Sequence, residues 1–289
     1  MEPLERARLS LDGLSVGDAF GEQFFGPGMV RLLENLGTRD PALLRPAPWR
    51  TTDDTEMACE IVAQLAESGT VQQDGLALRF ARRHAGDPAR GYGAGAHHIL
   101  DQIHAGVPWR AAAGEAFRGQ GSLGNGGAMR SAPVGAYFAE DAGAVVRHAR
   151  ASAEVTHAHP EGIAGAVAVA LAAAWAVRAE GTLFEFVLHH LKETSATRFG
   201  LERAAEMAHL APWEAARELG NGSQVTSADT VPLCLWMASR YLHDYAAALW
   251  VTAEQFGDLD TNCAIVGGIV ALRSPVPPGW LAAREPLHE

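Results

Sequence analysis

The stretch from Ile163 to Val177, IAGAVAVALAAAWAV, constrains the fold more than any other part of the chain. It carries no charge, yet it falls short of the roughly 20 residues that span a bilayer. Its side chains are mostly Ala and Val, so neighbouring helices can approach it closely. We expect a helix buried on all sides at the centre of a helical protein. The rest of the chain agrees. Thr55 to Glu67, TEMACEIVAQLAE, sets Met57, Ile61, Val62 and Leu65 on one helical stripe. Similar spacing predicts helices over Leu76–Arg83, Ala94–His104, Trp109–Arg118, Asp141–Glu154, Leu183–Leu191, Arg198–Leu210, Trp213–Leu219, Ala228–Tyr241, Tyr245–Phe256 and Thr261–Arg273. Breaks fall at Gly and Pro clusters such as Gly26-Pro27-Gly28 and Pro275 to Gly279. Strand-like alternation is scarce, and no long linker or internal repeat interrupts the pattern. The expected fold is all-α, one compact domain over 1–289 with a dozen or more helices.

Composition excludes several classes of function. Apolar residues make up 48% and charged residues 20%, which a disordered chain would not show. Three cysteines, Cys59, Cys234 and Cys263, all in apolar surroundings, read as buried thiols rather than a disulfide framework. A net charge of −11 opposes binding to a nucleic-acid backbone. The opening MEPLERARLSLDGL is not a signal peptide, so we expect a cytoplasmic protein with no membrane attachment.

Four segments carry more chemistry than helix building requires. Thr51-Thr52-Asp53-Asp54-Thr55 precedes a helix. One or two of these residues can serve as N-caps, but adjacent carboxylates repel unless a cation lies between them. Gly257-Asp258-Leu259-Asp260-Thr261-Asn262 repeats the same ingredients before another helix. Together the two motifs offer an all-oxygen donor set. Such sets suit Mg²⁺ or Mn²⁺ better than zinc, and the twelve-residue calcium loop is absent. Gly121 to Arg130, GSLGNGGAMR, is a glycine-rich turn whose backbone N–H groups could cradle a phosphate, although helix crossings use such turns too. Thr156-His157-Ala158-His159-Pro160 precedes the apolar helix, and His157 suits a cap or a ligand contact better than a zinc site.

In this order along the chain, these motifs resemble those of the ADP-ribosylglycohydrolase family. The likeness begins at Gly13-Leu14-Ser15-Val16-Gly17-Asp18-Ala19-Phe20-Gly21 and continues through Thr52-Asp53-Asp54-Thr55-Glu56-Met57. It takes in Gly124 to Arg130 and Thr156-His157 and ends at Gly257 to Thr261. The resemblance implies a multi-helix orthogonal fold with two divalent cations, Mg²⁺ or Mn²⁺. It places their ligands at Thr52, Asp53, Asp54, Asp258, Asp260 and Thr261. It implies substrate contacts at Ser122, Gly124, Asn125, Gly126, Met129 and His157. It also implies hydrolysis of the C1″ glycosidic bond of an ADP-ribosylated protein or small molecule, with ADP-ribose as product.

Asp54 or Asp258 would act as proton acceptor. Some relatives carry a glutamate four residues past the glycine matching Gly21. Here that position is Phe25, and Glu22 is the nearest acid, a candidate catalytic replacement. Asp18 and Glu22 equally suit helix-end and packing roles. Without that glutamate, ADP-ribosyl-arginine is favoured over ADP-ribosyl-serine. Leu259, where many relatives have a small polar residue, should point away from the cations. Three other readings stay open: an ADP-ribose-binding or transferase-blocking protein without turnover, a phosphohydrolase cutting the pyrophosphate, and acid motifs that serve as caps alone.

Overall fold

In the computed structural model, residues 1–287 are described; His288 and Glu289, the last two residues of the expected 1–289 domain, lie outside the described residues. The described residues form seventeen α-helices and one short 3₁₀ turn, with no β-strand. The first half comprises α1 (Pro3–Glu22), α2 (Pro27–Glu34), α3 (Asp53–Ser68), α4 (Gln73–Gly86), α5 (Ala94–His104), α6 (Trp109–Gly119), α7 (Gly126–Met129), α8 (Ala132–Tyr137) and α9 (Ala142–Glu154). The second half comprises α10 (Pro160–Arg178), α11 (Leu183–His190), α12 (Ala196–Glu206), α13 (Pro212–Leu219), α14 (Ser227–Arg240), α15 (Tyr245–Ala253), α16 (Leu259–Val270) and α17 (Pro278–Ala283). The all-α expectation holds.

The apolar run is the central helix α10, with every residue from Gly162 to Ala176 buried. Helices α7, α8, α9, α11, α12, α14 and α16 pack around it. Ala and Gly on its surface set those close approaches. A larger side chain there, such as Ala168→Leu, would overpack the core at a cost of about 1–3 kcal/mol. His159 caps its start by accepting from the Glu161 N–H at 3.1 Å, so the capping role falls to His159 and leaves His157 free for another.

Helix α1 matters most for the site. Gly13, Gly17 and Gly21 recur every four residues and form one stripe against α16. A Cβ on Gly17 would collide with the Cys263 carbonyl, and one on Gly21 with that of Leu259. The two backbones therefore touch directly. At the far end of α1, Phe20 stacks on Trp280 at 4.9 Å and meets Trp250 edge-on at 5.0 Å, which fixes the helix along its axis.

Several boundaries differ from those expected. Gly26-Pro27-Gly28 does break the chain after α1, but Pro27 also opens α2, since proline suits the first helical position. The expected Arg198–Leu210 helix starts at Ala196, capped by Ser195, and ends at Glu206. The expected Thr261–Arg273 helix begins two residues earlier, with Asp260 in its first turn, and stops at Val270. Helix α6 is broken near its end, where Phe117 and Arg118 take left-handed φ values of 53° and 63°.

Candidate metal centre and ligand cleft

The two acidic motifs meet at the floor of a cleft of about 450 Å³. Thr52 is the N-cap of α3, and Asp53 and Asp54 are its first two residues. Asp258 is the N-cap of α16, and Asp260 lies in its first turn. Both helix starts therefore aim N–H dipoles and carboxylates at one region. Leu259 between the late aspartates is fully buried in the core, so it does point away from the cleft.

Asp18 holds the first motif in place. Its Oδ2 accepts from the backbone N–H groups of Thr52 at 2.9 Å and Thr55 at 3.2 Å. Its Oδ1 accepts from the Thr52 hydroxyl at 2.9 Å. A carboxylate on α1 thus caps α3 from outside, and the glycine stripe sets it at the right depth. The Asp53 N–H donates to the Arg90 carbonyl at 2.7 Å, which turns the next residue inward. Carboxylate oxygens of Asp18, Asp54 and Asp260 all lie within 4.8 Å of one another. Asp54 Oδ1 is buried and has no hydrogen-bond partner among the described residues.

So many buried acids cannot all be charged without a counter-ion. Asp53 is pushed up to about 8, first by burial and then by Asp18. Asp18 rises to about 6 because of burial, partly offset by its hydrogen bonds from Thr55 and Thr52. Asp54 and Asp260 are driven well above the carboxylate range, first by burial and then by acidic neighbours. Burial also raises Asp258, against the pull of Asn125. Arg130 is the buried cation nearby, itself lowered to about 9 by burial. An unpartnered oxygen within an all-oxygen cluster of this charge fits hard divalent cations. Of the six ligands the resemblance implies, Asp53, Asp54, Asp258, Asp260 and Thr261 line the cleft itself, while Thr52 lies just behind it as the cap of α3.

The glycine-rich segment forms one wall. Gly124 bridges to Thr226, and the Asn125 N–H donates to the Val225 carbonyl at 3.2 Å. The Asn125 amide donates to Asp258 Oδ2 at 2.6 Å and to Thr230 Oγ1 at 3.0 Å. This expected substrate contact therefore also fixes an acid of the floor. Ser122, Gly124, Gly126, Met129 and His157 line the cleft with it. The His157 ring turns its Cε1–Nε2 edge to Gly126, where any Cβ would meet it at 2.8 Å. Burial and then Arg130 lower His157 to about 3, so it is neutral at ordinary pH. At the rim, Phe117, Leu123 and Val225 are apolar yet 57%, 41% and 56% exposed.

Glu22 is not brought to this cleft. It is the half-buried last residue of α1, within the fields of Arg45 and Arg50, and the inward acid is Asp18 one turn earlier. Sequence reading missed the organising role of Asp18 and the presence of Arg130, Phe117 and Val225 at the cleft. A carboxylate inside the Gly-x-x-x-Gly-x-x-x-Gly face was the available signal for Asp18.

A family model described as ADP-ribosylglycohydrolase matches residues 1–288. ADP-ribosylhydrolase ARH3 of Xenopus tropicalis is 30% identical over 267 residues, covering 83% of this chain and 75% of that protein. The Homo sapiens protein of the same name is 28% identical, covering 99% of this chain and 91% of its own length. ADP-ribosyl-dinitrogen reductase glycohydrolase of Rhodospirillum rubrum is 26% identical, covering 96% and 90% respectively. A solved structure titled ADP-ribosylglycohydrolase-related protein complex superposes with a TM-score of 0.66 at 24% identity, covering 98% of this chain and 93% of that one. At that identity the match speaks for the fold.

Proposed function

The chain belongs to the ADP-ribosylglycohydrolase family, and from that premise we propose that it hydrolyses the C1″ glycosidic bond of an ADP-ribosylated acceptor and releases ADP-ribose. One observation carries the reading. Acids from two distant motifs converge on the floor of a cleft around an unpartnered, buried carboxylate oxygen of Asp54. Thr52, Asp53, Asp54, Asp258, Asp260 and Thr261 would hold two divalent cations, Mg²⁺ or Mn²⁺. When bound, these would supply the positive charge that orients the ribose hydroxyls and acidifies a water.

The protein's own groups do the rest. Asp18, its oxygens already committed to Thr52 and Thr55, orients the first motif rather than binding substrate. Asp258 accepts the water's proton: it lines the cleft, Asn125 fixes its Oδ2, and burial raises it above the ordinary aspartate value, which makes it a stronger base. The acid cluster favours the positive charge that builds on the sugar ring as the bond breaks. The glycine-rich wall holds the pyrophosphate, and Phe117, Leu123 and Val225 at the rim offer apolar faces to the adenine. Arginine is the acceptor we favour. Phe25 replaces the glutamate of serine-specific relatives, Glu22 lies off the cleft, and an acid-rich cleft attracts a guanidinium.

Chromatography of the products from an arginine-ADP-ribosylated protein tests this. Wild type would be run with Mn²⁺ or Mg²⁺ and with a chelator, beside Asp258→Ala. Metal-dependent release of intact ADP-ribose, lost in the variant, is expected. AMP as product would overturn the glycosidic reading, and tight ADP-ribose binding without turnover on arginine or serine conjugates would leave a binding protein.

A further inference from the structure

We propose that Arg130 and Thr156 lock the tautomer of His157, fixing its ring proton on Nε2 so that it presents an N–H donor to a ligand oxygen above the glycine-rich wall. Arg130 is fully buried, and its guanidinium can only donate. It donates to the Gly126 carbonyl at 2.9 Å, to the Ser152 carbonyl at 3.0 Å and to Thr156 Oγ1 at 2.8 Å. The Thr156 hydroxyl therefore acts as acceptor toward Arg130 and must place its own proton elsewhere. Its other partner among the described residues is His157 Nδ1, at 2.8 Å. Thr156 is buried, so no bulk water competes for that proton. Nδ1 is then an acceptor, and a neutral imidazole carries its single proton on the opposite nitrogen.

The opposite nitrogen faces the cleft. Nε2 lies 2.9 Å from where a Cβ on Gly126 would stand and 3.4 Å from the corresponding point on Gly124. The Ser122 hydroxyl lies 3.2 Å from that second point. The ring donor and the hydroxyl thus converge over a backbone that only glycine leaves clear. With Nε2 protonated, the pair suits an anionic acceptor, and the other tautomer would turn a lone pair toward it. The ligand chemistry is a phosphoryl oxygen, which for the pyrophosphate of ADP-ribose rests on the function proposed above. Arg130 and Thr156 touch no substrate in this scheme and are positioning residues; Gly126 connects the relay twice, through its carbonyl to Arg130 and through its missing side chain to His157.

Ring ¹⁵N NMR of the full chain tests the lock directly, with the His157 signals assigned by their loss in His157→Gln. In wild type, Nδ1 should resonate as an unprotonated nitrogen and Nε2 as a protonated one, whether or not ADP-ribose is added. Thr156→Val, which keeps the shape but removes the hydroxyl, should mix the tautomers. It should also weaken ADP-ribose binding in calorimetry by about tenfold, the value of one hydrogen bond to a charged group. Thr156→Ser, which keeps the hydroxyl, should match wild type in both, and the wild-type ¹⁵N spectrum decides the matter if the valine variant does not fold. A protonated Nδ1 in wild type, or a folded Thr156→Val with unchanged tautomer and affinity, would overturn the proposal. Wild type with the expected tautomer but no ADP-ribose binding would uphold the lock and overturn the ligand.

Discussion

Raising the pH should destabilise the metal-free protein, and adding Mn²⁺ should cancel that loss. The acids of the floor are raised above their ordinary values in the fold. A group of this kind contributes stability that is complete below the unfolded pKa, near 3.8 for Asp, and lost as pH climbs toward the folded value. For Asp53, whose folded value is about 8, the loss runs across the whole window from 3.8 to 8. At roughly 1.4 kcal/mol per tenfold change, that one group forfeits on the order of 4 kcal/mol by pH 7. Against a total stability of roughly 5–15 kcal/mol this is large, and for a chain of this length it corresponds to about 7 °C in melting temperature. Cations reverse the effect because they bind the ionised acids. Neighbouring acids titrate as a coupled set, so binding should expel protons that the floor still holds near neutrality. Calorimetric melting of stripped protein between pH 5 and 8, with and without Mn²⁺, measures the first quantity. Titration in buffers of different ionisation enthalpy measures the second. A metal-free melting temperature that rises across this range, or metal binding that releases no protons, would show that the floor acids are not held protonated by the fold.

Gly17→Ala should cost about 3 kcal/mol in denaturant unfolding, because its Cβ would meet the Cys263 carbonyl and force α1 off α16. The same variant should bind Mn²⁺ more weakly, since Asp18 would be displaced with the helix. Phe117→Ala should weaken ADP-ribose binding about tenfold and leave ribose 5-phosphate binding unchanged, as fluorescence competition can show, because an exposed aromatic at the rim contributes mainly to stacking. Asn125→Ala should lower turnover more than affinity: losing the 2.6 Å hydrogen bond frees Asp258, and the pH–rate profile should shift upward as that carboxylate becomes harder to ionise.

The sequence made the helical class and the acid-bearing helix starts legible, for local reasons. Period-3.6 stripes such as Met57, Ile61 and Leu65 need only their own segment to be read. Thr52 before Asp53 and Asp54 is a cap pattern wherever it occurs. The role of Asp18 was not legible in that way. It depends on three glycines meeting a helix from the other end of the chain, which no local window contains. Arg130 was hidden for a similar reason, since its partners Met57 in α3 and Ser152 and Thr156 at the end of α9 come from two separate segments. Glu22 shows the converse. Its spacing from Asp18 looked favourable, but α1 ends there and the side chain lies outside the cleft. Helix ends were missed where a short polar side chain outside the apolar stripe does the capping, as Ser195 does for α12.

The glycine stripe on α1 also governs when the centre can exist during synthesis. Translation delivers α1 first, yet the surface it fits, on α16, follows only after most of the intervening chain. Three glycines make α1 a poor helix by itself, each costing about 1 kcal/mol relative to alanine, so it must wait for its partner to be held straight. Until then Asp18 has no fixed depth from which to cap α3, and the acids of the floor have no common point to face. A nascent chain that stops short of α16 would carry every residue of the first acidic motif and no assembled cluster. Cations held as proposed above could therefore be captured only after α16 has been made and has met α1.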